Sequence, residues 1–179
     1  MSNVVLIGMP ASGKSTIGVV LAKILGLSFT DTDLVIQNRT GRSLQALIRE
    51  RGQDGFISLE NEICSRIDVR DSVIATGGSV VYGEEAMRHL RENGIVVYLE
   101  TDYEVLKKRL HHMRRRGVVF REGQTLEDIF RERKPLYERY ADVTVREGLS
   151  DSEEVVEQIL EKLLSGWAGN SCLEKLEQI

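Results

Sequence analysis

The stretch GMPASGKST, residues 8–16, decides the fold. It follows the apolar run Asn3-Val4-Val5-Leu6-Ile7 directly, and that run reads as a buried strand bounded by glycine. Behind it, residues 14–25 have helical spacing, with Ile17, Leu21, Ile24 and Leu25 on one face and Gly26 as a stop. Gly8-x-x-x-x-Gly13-Lys14-Ser15 is therefore the pattern G-x-x-x-x-G-K-[ST] in its required setting, between a strand and a helix. Glycines let the backbone curl so that successive N–H groups point inward at phosphate oxygens. The helix start adds its positive dipole end. Pro10, Ala11, Ser12, Gly13, Lys14, Ser15 and Thr16 are the expected nucleotide contacts. Lys14 is expected to reach the β- and γ-phosphates of ATP, and the Ser15 hydroxyl to ligate Mg²⁺.

Outward from this loop, short apolar strands alternate with helical stretches. Strands are expected at 28–30, 72–76, 94–99 and 141–145. Helices are expected at 33–39, from Ser43 onward, and at 55–67, 83–92, 102–112, 125–139 and 151–164. The alternation predicts an α/β, three-layer α-β-α fold with a parallel five-stranded sheet. The predicted organisation is one domain over residues 1–165, with a mobile lid at about 112–124 and a tail at 166–179.

A chain of 179 residues, 41% hydrophobic and 29% charged, is long enough to bury a sizeable core. Its longest apolar runs fall far short of the ~20 residues of a spanning helix, so no membrane partner is expected. The net charge of −4 argues against nucleic acid as a partner. Cys64 and Cys172 are too few for a disulfide framework, so a cytoplasmic setting is the expectation. The expected partner is a small-molecule substrate and the expected state a monomer.

A phosphate loop names a nucleotide and leaves its use open, since motors, GTPases, kinases and regulators share it. No Asn-Lys-x-Asp guanine motif occurs in the chain. Asp31-Thr32-Asp33 stands at the end of the second strand, the edge where ligands gather in open parallel sheets. One carboxylate there could orient Mg²⁺ and the other could hold an acceptor hydroxyl and take its proton. The competing reading is helix capping by Asp33 with Asp31 solvated. Gly77-Gly78-Ser79 ends the third strand at the same edge, where glycine permits close approach of a substrate or simply makes a turn. Residues 107–117 hold a basic cluster, which reads as a solvated helix face, a nucleic-acid patch or the base of a lid. A lid arginine would stabilise charge on the transferring phosphate. Arg133 precedes a helix-disrupting proline and could fork onto a carboxylate, or pair on the surface with Glu132 or Glu138.

These pieces in this order resemble the shikimate kinases, from residue 3 to about 164. The stretches that carry the resemblance are GMPASGKST, LAKILGLSFTDTD, IQNRTGRSL, GFISLE, IATGGSVV and RKPLYERYADVTV. The resemblance implies transfer of the γ-phosphate of ATP to the 3-hydroxyl of shikimate. It makes Lys14, Asp33 and Arg116 the catalytic residues, Arg116 also an ATP contact, and Ser15 and Asp31 the metal residues. It puts Asp33, Ile57, Gly77, Gly78, Ser79 and Arg133 at the acceptor. Two positions depart from the family pattern. Ile57 stands where that pattern has a carboxylate-binding arginine, and Ser79 where it has a third glycine. Losing one charge-assisted bond costs about 1.5–3 kcal/mol, a factor of about 10–150 in affinity. The lid also matches loosely, so Arg114 and Arg115 compete with Arg116.

Overall fold

The computed structural model describes residues 3–112, 123–147 and 152–166. Strands β1 (Asn3–Ile7), β2 (Ser28–Asp31), β3 (Ser72–Ala75), β4 (Gly94–Thr101) and β5 (Val143–Glu147) form one sheet in the order β2-β3-β1-β4-β5. Every strand pair is parallel. All five residues of β1 are buried, as expected for a central strand covered on both faces.

Helices α1 (Lys14–Leu25), α2 (Thr32–Thr40), α3 (Leu44–Cys64), α4 (Glu84–Glu92), α5 (Tyr103–His112), α6 (Leu126–Tyr140) and α7 (Ser152–Gly166) connect and cover the strands. One face of the sheet packs Val5, Ile7, Ile74, Val96 and Tyr98 against residues of α4 and α6. The other packs Val4, Leu6, Val73, Val97 and Leu99 against α1 and α7. Alternation along each strand sends successive side chains to opposite faces, so two cores form from one sheet. A third, smaller core joins α2 and α3 through Ile36, Leu47, Phe56 and Ile63. No described helix is long and apolar enough to cross a membrane.

Two local features differ from the sequence reading. The helix expected at 55–67 is the second half of α3. Gly52, at φ 68° and ψ −178°, breaks α3 within its span, and its helical turns stop at Cys64. Helix α6 runs through Pro135, in line with the helix expected over 125–139. Helix α6 is started firmly, because Thr125 and Asp128 satisfy each other's backbone N–H groups in a capping box. The lid, with Arg114, Arg115, Arg116 and Gly117, and the tail from Trp167 lie outside the described residues.

Candidate active site

Parallel strands deliver their following loops to one edge. The loop after β1, the end of β2, the turn after β3 and helix α5 after β4 all meet there. In the phosphate loop Gly13 has φ 81°, a left-handed geometry that glycine takes without cost and that opens α1. Ala11 has φ 66°, so the loop holds a non-glycine residue in the same sparse region. The Lys14 ammonium lies across the loop and donates to the Gly8 and Met9 carbonyls, at 2.8 Å each, and to Ser12 Oγ at 3.2 Å. Lys14 and Ser12 are both buried, so this charge is fixed at the loop's centre.

Ser15 Oγ donates to Asp31 Oδ2 at 2.8 Å, joining the start of α1 to the end of β2. The other Asp31 oxygen accepts from the Asp33 backbone N–H at 2.9 Å. Asp31 is thus the cap of α2, and the expectation that Asp33 might cap while Asp31 is solvated is corrected. A hydroxyl and a carboxylate oxygen in contact beside a phosphate cradle fit Mg²⁺, which takes one or two protein oxygens with phosphates and waters. Among the described residues no cluster of three His, Cys, Asp or Glu forms an all-protein metal site.

Freed from capping, Asp33 faces the turn after β3. Its carboxyl is pushed up to about 6, by burial first and by neighbouring Asp31 second, with Lys14 pulling the other way. The turn is bare of side chains for a reason that can be measured. A Cβ on Gly77 would sit 3.0 Å from Asp33 Oδ1 and 2.3 Å from Glu60 Oε1. A Cβ on Gly78 would sit 3.2 Å from Arg133 Nη1 and 2.7 Å from Pro10 Cδ. Two consecutive glycines therefore bring an acid, a base and the phosphate loop against one stretch of backbone. Thr32 Oγ1 accepts from the Gly77 N–H at 3.0 Å, and Tyr137 Oη donates to the Gly78 carbonyl at 2.6 Å, so the turn is held from both sides.

Arg133 is 2% exposed, which corrects the surface-pair alternative. Its Nε donates to Tyr82 Oη at 3.2 Å, and the guanidinium lies 5.2 Å from the centre of that ring. The surface pairing falls to its neighbour instead, because Lys134 bonds Glu100 at 2.7 Å. Ile57 is half-buried on α3, one residue after the buried Phe56.

Two residues at the site were missed from sequence. Glu60 is 1% exposed, and Ser79 Oγ donates to its Oε2 at 2.5 Å. Its spacing could have found it, since Phe56, Glu60 and Cys64 lie four apart on one buried helix stripe. Arg109 Nη1 donates to the Ala11 carbonyl of the phosphate loop at 3.2 Å. The described part of the basic cluster is thereby divided: Lys107 and Lys108 are exposed, and Arg109 turns to the loop. Only helical spacing separates these neighbours in sequence, since Arg109 lies three residues after the buried Leu106.

A parallel α/β sheet with a phosphate loop, a hydroxyl–carboxylate pair and a second, acid–base pocket beside it defines a phosphotransferase that passes phosphate to a small hydroxylated acceptor. The chain matches the sequence model of the shikimate kinase family over residues 10–164. Shikimate kinase 1 of Sodalis glossinidius is 36% identical over 167 residues, covering 91% of this chain and 96% of that protein. The shikimate kinase of Nitrosococcus oceani is 37% identical over 165 residues, covering 90% and 86%. The structure of shikimate kinase from Acinetobacter baumannii in complex with shikimate superposes with a TM-score of 0.84 at 29% identity, covering 94% and 96%. This chain belongs to the shikimate kinase family and is an ATP-dependent kinase.

Proposed function

We propose that the acceptor is shikimate and that the γ-phosphate of ATP passes to its 3-hydroxyl. The observation that carries this reading is the pairing across Gly77-Gly78. Asp33 and Arg133 flank successive residues of one bare turn, with Pro10 of the phosphate loop against the second. An acceptor with one hydroxyl and one carboxylate would meet a proton acceptor and a guanidinium there, with the hydroxyl end toward the phosphates.

Asp33 orients the hydroxyl and takes its proton as the new O–P bond forms. Lys14 and the N–H groups of the loop hold the phosphates, and this positioning is most of the catalysis in phosphoryl transfer. Ser15 and Asp31 would hold Mg²⁺, which when bound neutralises charge on the phosphate oxygens. Arg133, buried and braced by Tyr82, takes the carboxylate. Arg116 is proposed as the lid arginine that closes over the transferring group. Among the described residues Arg133 is the one buried arginine. The missing cation at Ile57 is therefore not replaced by a second buried guanidinium in the described pocket.

The test is ADP release with Mg-ATP and shikimate, beside a small panel of polyols and hydroxy acids. Saturable release with shikimate, lost in Asp33→Asn, is the expected result. Turnover of a panel member with none of shikimate would overturn the acceptor and leave the kinase.

A further inference from the structure

Glu60 has no place in the reaction just described, yet it is the most deeply buried charge-bearing side chain beside the acceptor pocket. Its one described hydrogen bond is from Ser79, at 2.5 Å to Oε2. Oε1 is buried and has no hydrogen-bond partner. That oxygen leans on the same point of Gly77 as Asp33 Oδ1, at 2.3 Å against 3.0 Å. A carboxylate this dry, held by one neutral hydroxyl, is costly as an anion.

The surrounding groups do not repair this. Asp33 faces it from α2, with Asp31 beyond. Cys64 lies one turn along α3, a thiol whose own ionisation is pushed well up, by burial first and by Glu60 second. Arg133 of α6 and Lys14 of the phosphate loop oppose the burial and Asp33 without cancelling them. Burial is the largest influence, and the Glu60 carboxyl is pushed up to about 7; the Ser79 hydrogen bond pulls it down and Asp33 pushes it up.

We propose that Glu60 is a specificity-setting, positioning residue of the acceptor pocket. As the neutral acid it leaves Arg133 to dominate and admits an anionic acceptor, as the carboxylate it opposes one, and the Ser79 hydroxyl sets which form prevails. The two departures at 57 and 79 then belong together. With isoleucine at 57 no further cation joins Arg133 and Lys14 in favouring the ionised form of Glu60, and the Ser79 hydroxyl is its one described hydrogen-bond donor. This rests on the shikimate reading only in taking the acceptor to be an anion.

The experiment uses the full chain with glutamate labelled at the side-chain carboxyl carbon, followed by ¹³C NMR from pH 5 to 9. Equilibrium binding of shikimate is measured in parallel at pH 6 and pH 8. In the wild type one glutamate is expected to titrate near pH 7, as burial requires. Glu60→Gln, nearly isosteric, is expected to remove that titration. Ser79→Ala, which deletes the donor, is expected to move it to higher pH. Shikimate affinity is expected to weaken about three- to tenfold from pH 6 to pH 8, through charge repulsion across the pocket. That fall is expected to flatten in Glu60→Gln, with ATP affinity unmoved. A wild type with no glutamate titrating above the ordinary range overturns the proposal, as does the same fall in affinity in Glu60→Gln. Absence of shikimate binding at every pH would count against shikimate as acceptor, and the NMR titration would still decide the behaviour of Glu60.

Discussion

The two halves of the site are built on opposite principles. The phosphate half is mostly backbone: a curled loop, a helix start, and one lysine tied to the loop's own carbonyls at 2.8 Å. Backbone geometry is fixed by a few glycine positions, so this half is written in one contiguous stretch of nine residues. The acceptor half is side chains drawn from α2, α3 and α6 onto one bare turn. It has no contiguous motif, and it holds Ile57 and Ser79, where the resemblance led to an expected arginine and glycine. Changing an acceptor half alters what is phosphorylated, whereas changing a phosphate half ends phosphorylation.

That contrast can be broken by substitution. Lys14→Ala is expected to cost about 10³-fold or more in kcat, since it removes the charge at the centre of the phosphate cradle. Initial-rate kinetics in both substrates would check it, and a loss confined to acceptor KM would erase the division. Asp33→Asn is expected to cost about 10²–10³-fold in kcat while ATP affinity holds. The pH profile of kcat should carry an acid limb near 6, because the role proposed for Asp33 needs the carboxylate and burial raises its pKa. The limb should vanish in Asp33→Asn.

Smaller effects sharpen the acceptor side. Gly77→Ala places a methyl 2.3 Å from Glu60 Oε1, so it should destabilise by about 1–3 kcal/mol and raise acceptor KM. Denaturant melts and kinetics would show both, with ATP KM little changed. Glu60→Gln should stabilise the fold by about 3 kcal/mol at pH 8. The sign follows from a folded-state pKa of about 7 against 4.5 for a solvated glutamate. The fold penalises the anion, so the gain is absent below the lower value, grows between the two and is complete above the higher. Melts at pH 4 and pH 8 check it. Ile57→Arg, placing a cation one turn before Glu60, should lower acceptor KM about tenfold and leave ATP KM alone.

The same contrast explains what could be read from sequence. Strand and helix alternation gave the layers and the parallel sheet, since short apolar runs between glycines admit few other arrangements. The glycine loop falls between β1 and α1 as its motif required, with α1 starting at Lys14. Asp31 and Asp33 were placed correctly at the strand end, but which one capped α2 was a matter of side-chain rotation that spacing does not encode. Arg133 was singled out, yet its burial depends on Tyr82, which reaches it from the turn before α4 and is 51 residues away in sequence. Glu60 went unseen because a glutamate on a helix is ordinarily solvated, and only its alignment with Phe56 and Cys64 signals otherwise. The helix expected over 125–139 was legible despite Pro135, because its capping residues and apolar spacing outweigh one lost backbone donor.

The most direct test of this two-sided account is the shikimate dependence of ADP release by the wild-type chain, compared with Asp33→Asn under saturating Mg-ATP. The expected result is saturable, shikimate-dependent turnover in the wild type and its collapse in the variant, with ATP bound equally by both. ATP binding without shikimate-dependent release, alongside turnover of a different acceptor, would contradict the assignment of the acceptor half while leaving the phosphate half as described.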